Sequence, residues 1–500
     1  MPADRFTPVI PAPVSMVAAG EPFVLDGSTR VSAEGAAATV AGYLAEAMRT
    51  PTGLPMAVTP DPATHGAISL RLDGDTGLGA EGYHFDVTAA SVRIRAHEPA
   101  GLFRGVQTLR QLLPAAVEHG TAQAGPWQVP GVRIVDRPRF PWRGAMLDVA
   151  RHFFTVDEVK RFIDLAVLYK INTVHLHLTD DQGWRIAVDS RPELTGIGAS
   201  TKAGGGRGGF YTKADYRDIV EYAGRRYVTV VPEIDVPGHT NAALASYPEL
   251  NCDGRAPEPF TGTEVGFSAL CLDQPSTYEF LTDVFTEIAA MTPGPFLHVG
   301  GDEASTIPER EYAAFVSRIQ KIVTSTGKSV VGWQELATGE LEPGAVVQYW
   351  NPEEGPARVV KALDSGARVI LSPADRVYLD MRYDAKTAVG TDWAGHVDVR
   401  DAYEWDPATI IEGMTEPDVI GVEAALWTET VADIDRVEFM TIPRLPAIAE
   451  VAWSPAHRRE WHDFRRRLAA HAPRWQAMGV DFHRSRQVPW PLAAAHATPR

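Results

Sequence analysis

Hydrophobic and polar positions change rhythm once along this chain of 500 residues. Up to about residue 135, short strands and helices alternate. Ile68-Ser69-Leu70-Arg71-Leu72 puts three apolar residues on one face, as a half-buried strand does. His84–Val87 and Val92–Arg95 read as the arms of a hairpin. From Gly101 to Leu113, Leu102, Val106, Leu109 and Leu113 recur at helical spacing, and Pro114 stops the run. Residues 1–20 read as an extended lead-in, while Pro138 and Pro141 mark a boundary.

After Phe140 the rhythm becomes strand, loop, helix, repeated. Candidate strands are Ala145–Val149, Thr173–Leu178, Thr229–Ile234, Phe296–Val299, Ser329–Trp333, Ala345–Tyr349, Arg368–Leu371 and Val419–Ala424. They are rich in Val, Ile and Leu and alternate weakly, as parallel strands buried on both faces should. Thr155–Glu158 and Ser276–Glu279 both fit the capping box that opens a helix. Eight such units over about 340 residues predict a (β/α)8 TIM barrel. The expected α/β organisation is a small N-terminal α/β domain over 1–138, a barrel catalytic domain over 139–485 and a C-terminal tail over 486–500.

A barrel of this kind carries its chemistry at the C-terminal ends of its strands. Nearly every candidate strand is followed there by reactive residues. The first leads into Asp148, Arg151 and His152, and the second into Asp180, Asp181 and Trp184. The third leads into Glu233, Asp235 and His239, and the fourth into Asp302 and Glu303. Trp333 and Glu335 follow the fifth, Trp350 the sixth, Tyr378 and Asp380 the seventh, Trp427 and Glu429 the eighth. Aromatic faces stack on C–H surfaces while carboxylates and Arg take hydroxyls, so the mixture suits a sugar. At its centre, Gly300 and Gly301 let the chain turn so that Asp302 and Glu303 reach one pocket. Two carboxyls in one apolar-walled site do not both ionise cheaply, which leaves an acid beside an anion. The competing reading makes Asp302 a helix cap and Glu303 its neighbour by chance.

Composition narrows the partners. The net charge of −17 argues against nucleic acid. No run of 18 apolar residues exists to span a membrane. The N-terminus lacks the charged and apolar regions of a secretory leader, so a cytoplasmic location is expected, or export if a leader was removed. Cys252 and Cys271 either form one bridge, worth about 3 kcal/mol, or stay as isolated thiols. Three other features compete for attention. His175 and His177 share a strand face and, with His239 and His298, could ligate a metal, though hydrogen-bonded core histidines are the commoner case. Gly204–Gly209 contains GxGxxG but follows a loop, and reads as a flexible rim. Arg465-Arg466-Arg467 reads as a solvated helix face.

The motifs Arg151-His152-Phe153, His177–Trp184, Asp235-Val236-Pro237-Gly238-His239, His298–Glu303 and Tyr378-Leu379-Asp380 resemble those of the family 20 glycoside hydrolases, the β-N-acetylhexosaminidases. The likeness runs from Gly101–Gly105 to Trp427-Thr428-Glu429. It implies retaining removal of terminal β-linked GlcNAc or GalNAc, with the substrate's acetamido oxygen as nucleophile and an oxazolinium intermediate. Under that resemblance Glu303 is the acid and base, Asp302 holds the acetamido N–H, and Tyr378 bonds the acetamido oxygen. Trp333, Trp350 and Trp427 wall the methyl pocket, and Trp393 shapes its rim. Arg151, Asp380 and Glu429 bind hydroxyls, while Asp180 and His239 orient the acid from behind. No cofactor and no metal is expected; the partner is a small carbohydrate, and the chain is a monomer or homodimer. The alternatives are a barrel glycosidase pairing Glu303 with Glu233 or Glu335, a metal-dependent amidohydrolase built on His175 and His177, and a non-catalytic sugar-binding protein.

Overall fold

Eight parallel strands close into a barrel: β1 (Trp142–Asp148), β2 (Thr173–His177), β3 (Thr229–Glu233), β4 (Phe296–His298), β5 (Ser329–Trp333), β6 (Val346–Tyr349), β7 (Arg368–Leu371) and β8 (Val419–Leu426). The last strand returns to the first, in register from Trp142 opposite Gly421 to Leu147 opposite Leu426. The computed structural model describes residues 8–61 and 65–491. Each expected strand is present, although β1 begins at Trp142 and β8 runs on to Leu426. Trp142 belongs to the strand because its ring is buried and its indole N–H donates to Glu423 at 2.8 Å.

The barrel interior is layered by the two-residue strand repeat. Trp142, Val231, Val331, Val346, Ile370 and Ile420 form an apolar floor. Two residues further along their strands, the inward positions become Glu233, Trp333, Gln348 and Ser372, all fully buried. The polar layer is bonded within itself: Gln348 donates to Ser372 and to Glu423, each at 2.9 Å. Position along the strand thus decides whether an inward residue seals the base or serves the mouth.

Helices form where caps allow. Thr155 and Glu158 make the expected capping box. Ser276 does not cap, because its helix already starts at Pro275 and its hydroxyl donates to the Glu249 carbonyl. Thr212 and Asp215 make a second box instead. Cys252 and Cys271 are joined by a disulfide, closing the loop that carries Thr263 and Val265. No helix among the described residues is long and apolar enough to cross a membrane.

The chain packs as two units, one spanning Phe140–Ile448 and the other joining the described residues up to Arg139 to those from Ala449 onward. The second unit is built on a seven-stranded sheet ordered Ser15–Ala18, Val132–Asp136, Tyr83–Thr88, Ser91–Ala96, Ala67–Arg71, Arg30–Ser32, Ala57–Thr59. The hairpin forms as expected, and the expected helix runs Pro99–Leu112. Two expectations change here. Ser15–Ala18, read as lead-in, is an edge strand paired with Val132–Val135, while residues 1–7 lie outside the described set. Ala67–Arg71 is a central strand with parallel neighbours on both sides, so Ser69 is as buried as its apolar neighbours.

The residues from Ala449, placed with the barrel by the sequence, pack with this sheet. Arg474 pairs with Glu118 at 2.8 Å. Arg467, read as part of a solvated face, is buried and meets both oxygens of Glu450, at 2.7 and 2.8 Å. Residues 492–500 of the expected tail lie outside the described set.

One buried cation ties the barrel to its chemistry. Arg444 donates to the carbonyls of Leu379, Met381, Val397 and Met440 at 2.5–2.9 Å, clamping the segment on both sides of Asp380. Arg444→Met strands these carbonyls and is expected to cost about 3–5 kcal/mol in urea unfolding. A loss under about 1 kcal/mol would show that water replaces the guanidinium without penalty.

Candidate active site

β4 ends at His298, after which the chain must lay two acids across the barrel mouth. Gly300 (φ 62°) and Gly301 (φ 102°) supply left-handed backbone. Glycine is also required by space, since a Cβ on Gly300 would lie 1.8 Å from Asp235 Oδ1. That oxygen accepts from the Gly301 N–H at 3.0 Å, and the Tyr312 hydroxyl donates to the Gly301 carbonyl at 2.6 Å. Glu303 itself holds φ 47° and His239 φ 54°, each costing about 1 kcal/mol of strain for a residue with a side chain. The two strained residues meet: His239 Nε2 is 3.3 Å from Glu303 and 3.7 Å from Asp302.

Behind this pair runs a buried chain of alternating charge. His239 Nδ1 meets Asp180 at 3.2 Å, Asp180 meets His177 Nε2 at 2.8 Å, and His177 Nδ1 meets Glu233 at 2.6 Å. Glu233 is also approached by His175 at 2.9 Å and His298 at 3.1 Å, and accepts the Trp333 indole N–H at 2.9 Å. Burial opposes every charge here; the neighbours outweigh it for Glu233, His175, His177, Asp180 and His239, whereas burial holds His298 below the usual imidazole range. Arg151 and His239 hold Asp180 far below the carboxylate range. Asp180 and Asp302 hold His239 well above the usual imidazole range. Glu233 and Glu423 push His175 up to about 9. Asp302 goes the other way: burial pushes it up to about 6, with His239 pulling it down and Glu303 and Glu233 adding to the rise.

A cavity of about 520 Å³ opens over the pair. Of the residues singled out from sequence, Arg151, His239, Asp302, Glu303, Trp350, Tyr378, Asp380, Trp393, Trp427 and Glu429 line it. Asp180 lies behind, bonded to Arg151 at 2.9 Å. Trp333, expected in the wall, is fully buried beneath it, with its ring 5.8 Å from Trp427 and its N–H committed to Glu233.

Each remaining lining residue is held. Arg151 is fixed by Asp180, Asp148 and Glu429 and lies over Trp427, 5.0 Å from the ring centre. Asp380 accepts from Thr391 at 3.0 Å through one oxygen, while the other is buried without a partner. Burial, reinforced by Glu429, pushes Asp380 up to about 8. Asp302 Oδ1 is likewise buried and unpartnered, so both acids offer an acceptor awaiting a donor. Trp350 and Tyr378 lie nearly parallel at 6.5 Å and 11°, and Trp393, 55% exposed, stands edge-on to both at the rim.

The competing readings meet the same geometry. The nitrogens of His175 and His177 face Glu233, Glu423 and Asp180 at 2.6–2.9 Å, the spacing of hydrogen-bonded ion pairs. His239, Asp302 and Glu303 form the one clustered donor set among the described residues that is not wholly buried. Glu233 has no exposure, and Glu335 sits behind Trp350 on a second cavity of about 630 Å³. The Gly204–Gly209 loop does not line the site; its last residue Gly209 and the preceding Ala199 and Thr201 give carbonyls to the buried Arg185. Thr263, Val265, Asn351, Thr391 and Thr430 also line the cavity, and sequence reasoning missed them because ordinary loop residues carry no motif.

Gly300→Ala must displace Asp235 or the turn. It is expected to lose about 2–4 kcal/mol of stability, whereas Gly254→Ala, also left-handed but with open space around it, loses about 1 kcal/mol. Equal losses in urea unfolding would mean that backbone conformation alone fixes Gly300.

The catalytic-domain profile of glycosyl hydrolase family 20 matches residues 140–312 and 306–456, and the profile of that family's domain 2 matches residues 7–137. A β-N-acetylhexosaminidase of Cellulomonas fimi is 48% identical over 487 residues, covering 97% of each chain. The solved family 20 β-N-acetylhexosaminidase of Streptomyces coelicolor superposes with a TM-score of 0.95 at 54% identity, covering 97% of this chain and 99% of that one. A mutant Streptomyces plicatus β-hexosaminidase, solved with its product GlcNAc, gives a TM-score of 0.95 at 53% identity over 97% of this chain and 98% of that one. The chain therefore belongs to glycosyl hydrolase family 20 and is a glycoside hydrolase of the β-N-acetylhexosaminidase kind.

Proposed function

We propose that the enzyme removes terminal β-linked N-acetylhexosamine with retention, using the substrate's own acetamido oxygen as nucleophile. The observation that carries this is the placement of Asp302 beside Glu303, with an unpartnered buried oxygen at the cavity. A conventional pair needs a second carboxylate across the scissile bond. Glu233 is engaged by His175, His177 and the Trp333 indole, and Glu335 accepts the Trp350 indole N–H outside the lining of the sugar cavity. The GlcNAc held by the Streptomyces plicatus relative supports the sugar assignment.

In this reading Glu303 gives its proton to the leaving oxygen as the C1–O bond breaks and the acetamido oxygen bonds C1. Asp302 accepts the acetamido N–H and offsets the positive charge of the oxazolinium ring. Tyr378, which lines the same cavity as Asp302, donates to the acetamido oxygen. Glu303 then takes a proton from water, which opens the ring from the face the leaving group vacated. Trp350 and Trp427 enclose the methyl group, Trp333 backs Trp427, and Trp393 flanks the entrance. Arg151, Asp380 and Glu429 take the sugar hydroxyls; the unpartnered oxygen of Asp380 suits a hydroxyl donor. Asp180 and His239 orient Glu303. A fixed acetamide has the high effective molarity that an internal nucleophile needs. The Cys252–Cys271 bridge favours an oxidising compartment.

Hydrolysis of an aryl β-N-acetylglucosaminide and the matching aryl β-glucoside, with and without chelator, tests this reading. Cleavage of the N-acetyl substrate alone, unaffected by chelator, is expected. Comparable cleavage of both substrates would return the reaction to a carboxylate pair. Glu303→Gln is expected to cut kcat/KM by about 10²–10⁴ for alkyl or sugar leaving groups and far less for a dinitrophenyl one. Equal losses on both would remove Glu303 as the acid.

A further inference from the structure

Trp350, with Glu303 and Asn351, lines both the sugar cavity and the second cavity of about 630 Å³, so its side chain forms part of the partition between them. A partition with space on both sides stays in place only if something holds it. The backbone is fixed by Gln334, whose Oε1 accepts from the N–H groups of Trp350 at 3.1 Å and Asn351 at 3.0 Å. The ring is held on the far side from the sugar by one hydrogen bond, the indole N–H donating to Glu335 Oε2 at 3.1 Å. Glu335 is itself mostly buried, with its other oxygen 3.7 Å from Arg358. Its aromatic neighbours among the described residues are Tyr378, nearly parallel at 6.5 Å, and Trp393, edge-on at 5.8 Å.

We propose that Glu335 is a positioning residue that sets the size of the N-acyl group the enzyme accepts, by clamping Trp350 against the sugar cavity. This rests on the reading above that Trp350 encloses the acetamido methyl group. Without the clamp the indole can swing into the rear cavity, and the sugar cavity gains the room that a longer acyl chain needs. The acetamide is then also held less tightly, so the gain for larger groups accompanies a loss for N-acetyl. Glu335 touches neither substrate nor reacting atoms; its effect passes through the ring it holds.

The test measures kcat/KM on aryl glycosides of N-acetyl-, N-propionyl- and N-butyryl-β-glucosamine, with the aryl β-glucoside as reference. Glu335→Gln removes the ionisable carboxyl and keeps an oxygen that accepts from the indole; Glu335→Leu removes both. The N-propionyl to N-acetyl ratio is expected to rise about tenfold in Glu335→Leu and to stay within about twofold of wild type in Glu335→Gln. Because both variants lose the ionisable carboxyl at this position, their difference isolates the hydrogen bond. Should Glu335→Leu not fold, as judged by its melting curve, Glu335→Ala carries the same expectation. An unchanged ratio in the variant lacking the acceptor, or equal changes in both variants, overturns the clamp while leaving acetamide participation intact. Wild-type enzyme that cleaves the glucoside as well as the N-acetyl sugar overturns the underlying reading, and the clamp's role falls with it.

Discussion

Four charged groups stacked beneath the barrel mouth govern the site: Glu233, His177, Asp180 and His239, joined by contacts of 2.6–3.2 Å. None of them is stable there alone, because a buried charge costs several kcal/mol unless it is paired. Together each one's penalty is offset by its neighbours, and the histidines hold the carboxylates ionised. The chain ends on Asp302 and Glu303, which line the cavity together with His239. There the balance tips: burial and like charges raise Asp302 while the imidazoliums of His239 and, more weakly, His177 restrain it. A carboxyl poised in this way stays anionic near neutrality yet responds strongly to a positive charge forming beside it, which is what an oxazolinium ring supplies.

The backbone serves the same end. The left-handed run at Gly300, Gly301 and Glu303 stores strain that Asp235 and Tyr312 hold in place through the Gly301 peptide. Arg444 does comparable work after β7, where its bonds to carbonyls fix the segment carrying Tyr378 and Asp380. Trp333 shows how core and site merge, since one side chain both fills the barrel and bonds the carboxylate at the root of the charge chain.

Most of the barrel was legible in the sequence because parallel strands leave short Val/Ile/Leu runs, and strand-end chemistry marks their C-terminal ends. The paired acids were legible because Gly300 and Gly301 announce an unusual turn. What escaped was tertiary. Ser15–Ala18 has no strand signal beyond the partner it finds, and Arg467 looks like any helix-surface cation until Glu450 is seen beside it. Trp333 reads as a pocket wall because its place at a strand end says nothing of how deep its ring lies. Thr391 matters only because the chain folds it against Asp380.

The central claim is that the charge chain, acting through His239, keeps Asp302 ionised at working pH. The pH dependence of kcat/KM for an aryl β-N-acetylglucosaminide, in wild type and in His239→Gln, tests it most directly. Asp302 binds a proton as pH falls through about 6, so the wild-type rate should fall below that pH. Removing the His239 imidazolium removes the larger of the two influences that lower Asp302, so the acid limb should move to higher pH in the variant. An acid limb in the same place in both enzymes would contradict the account.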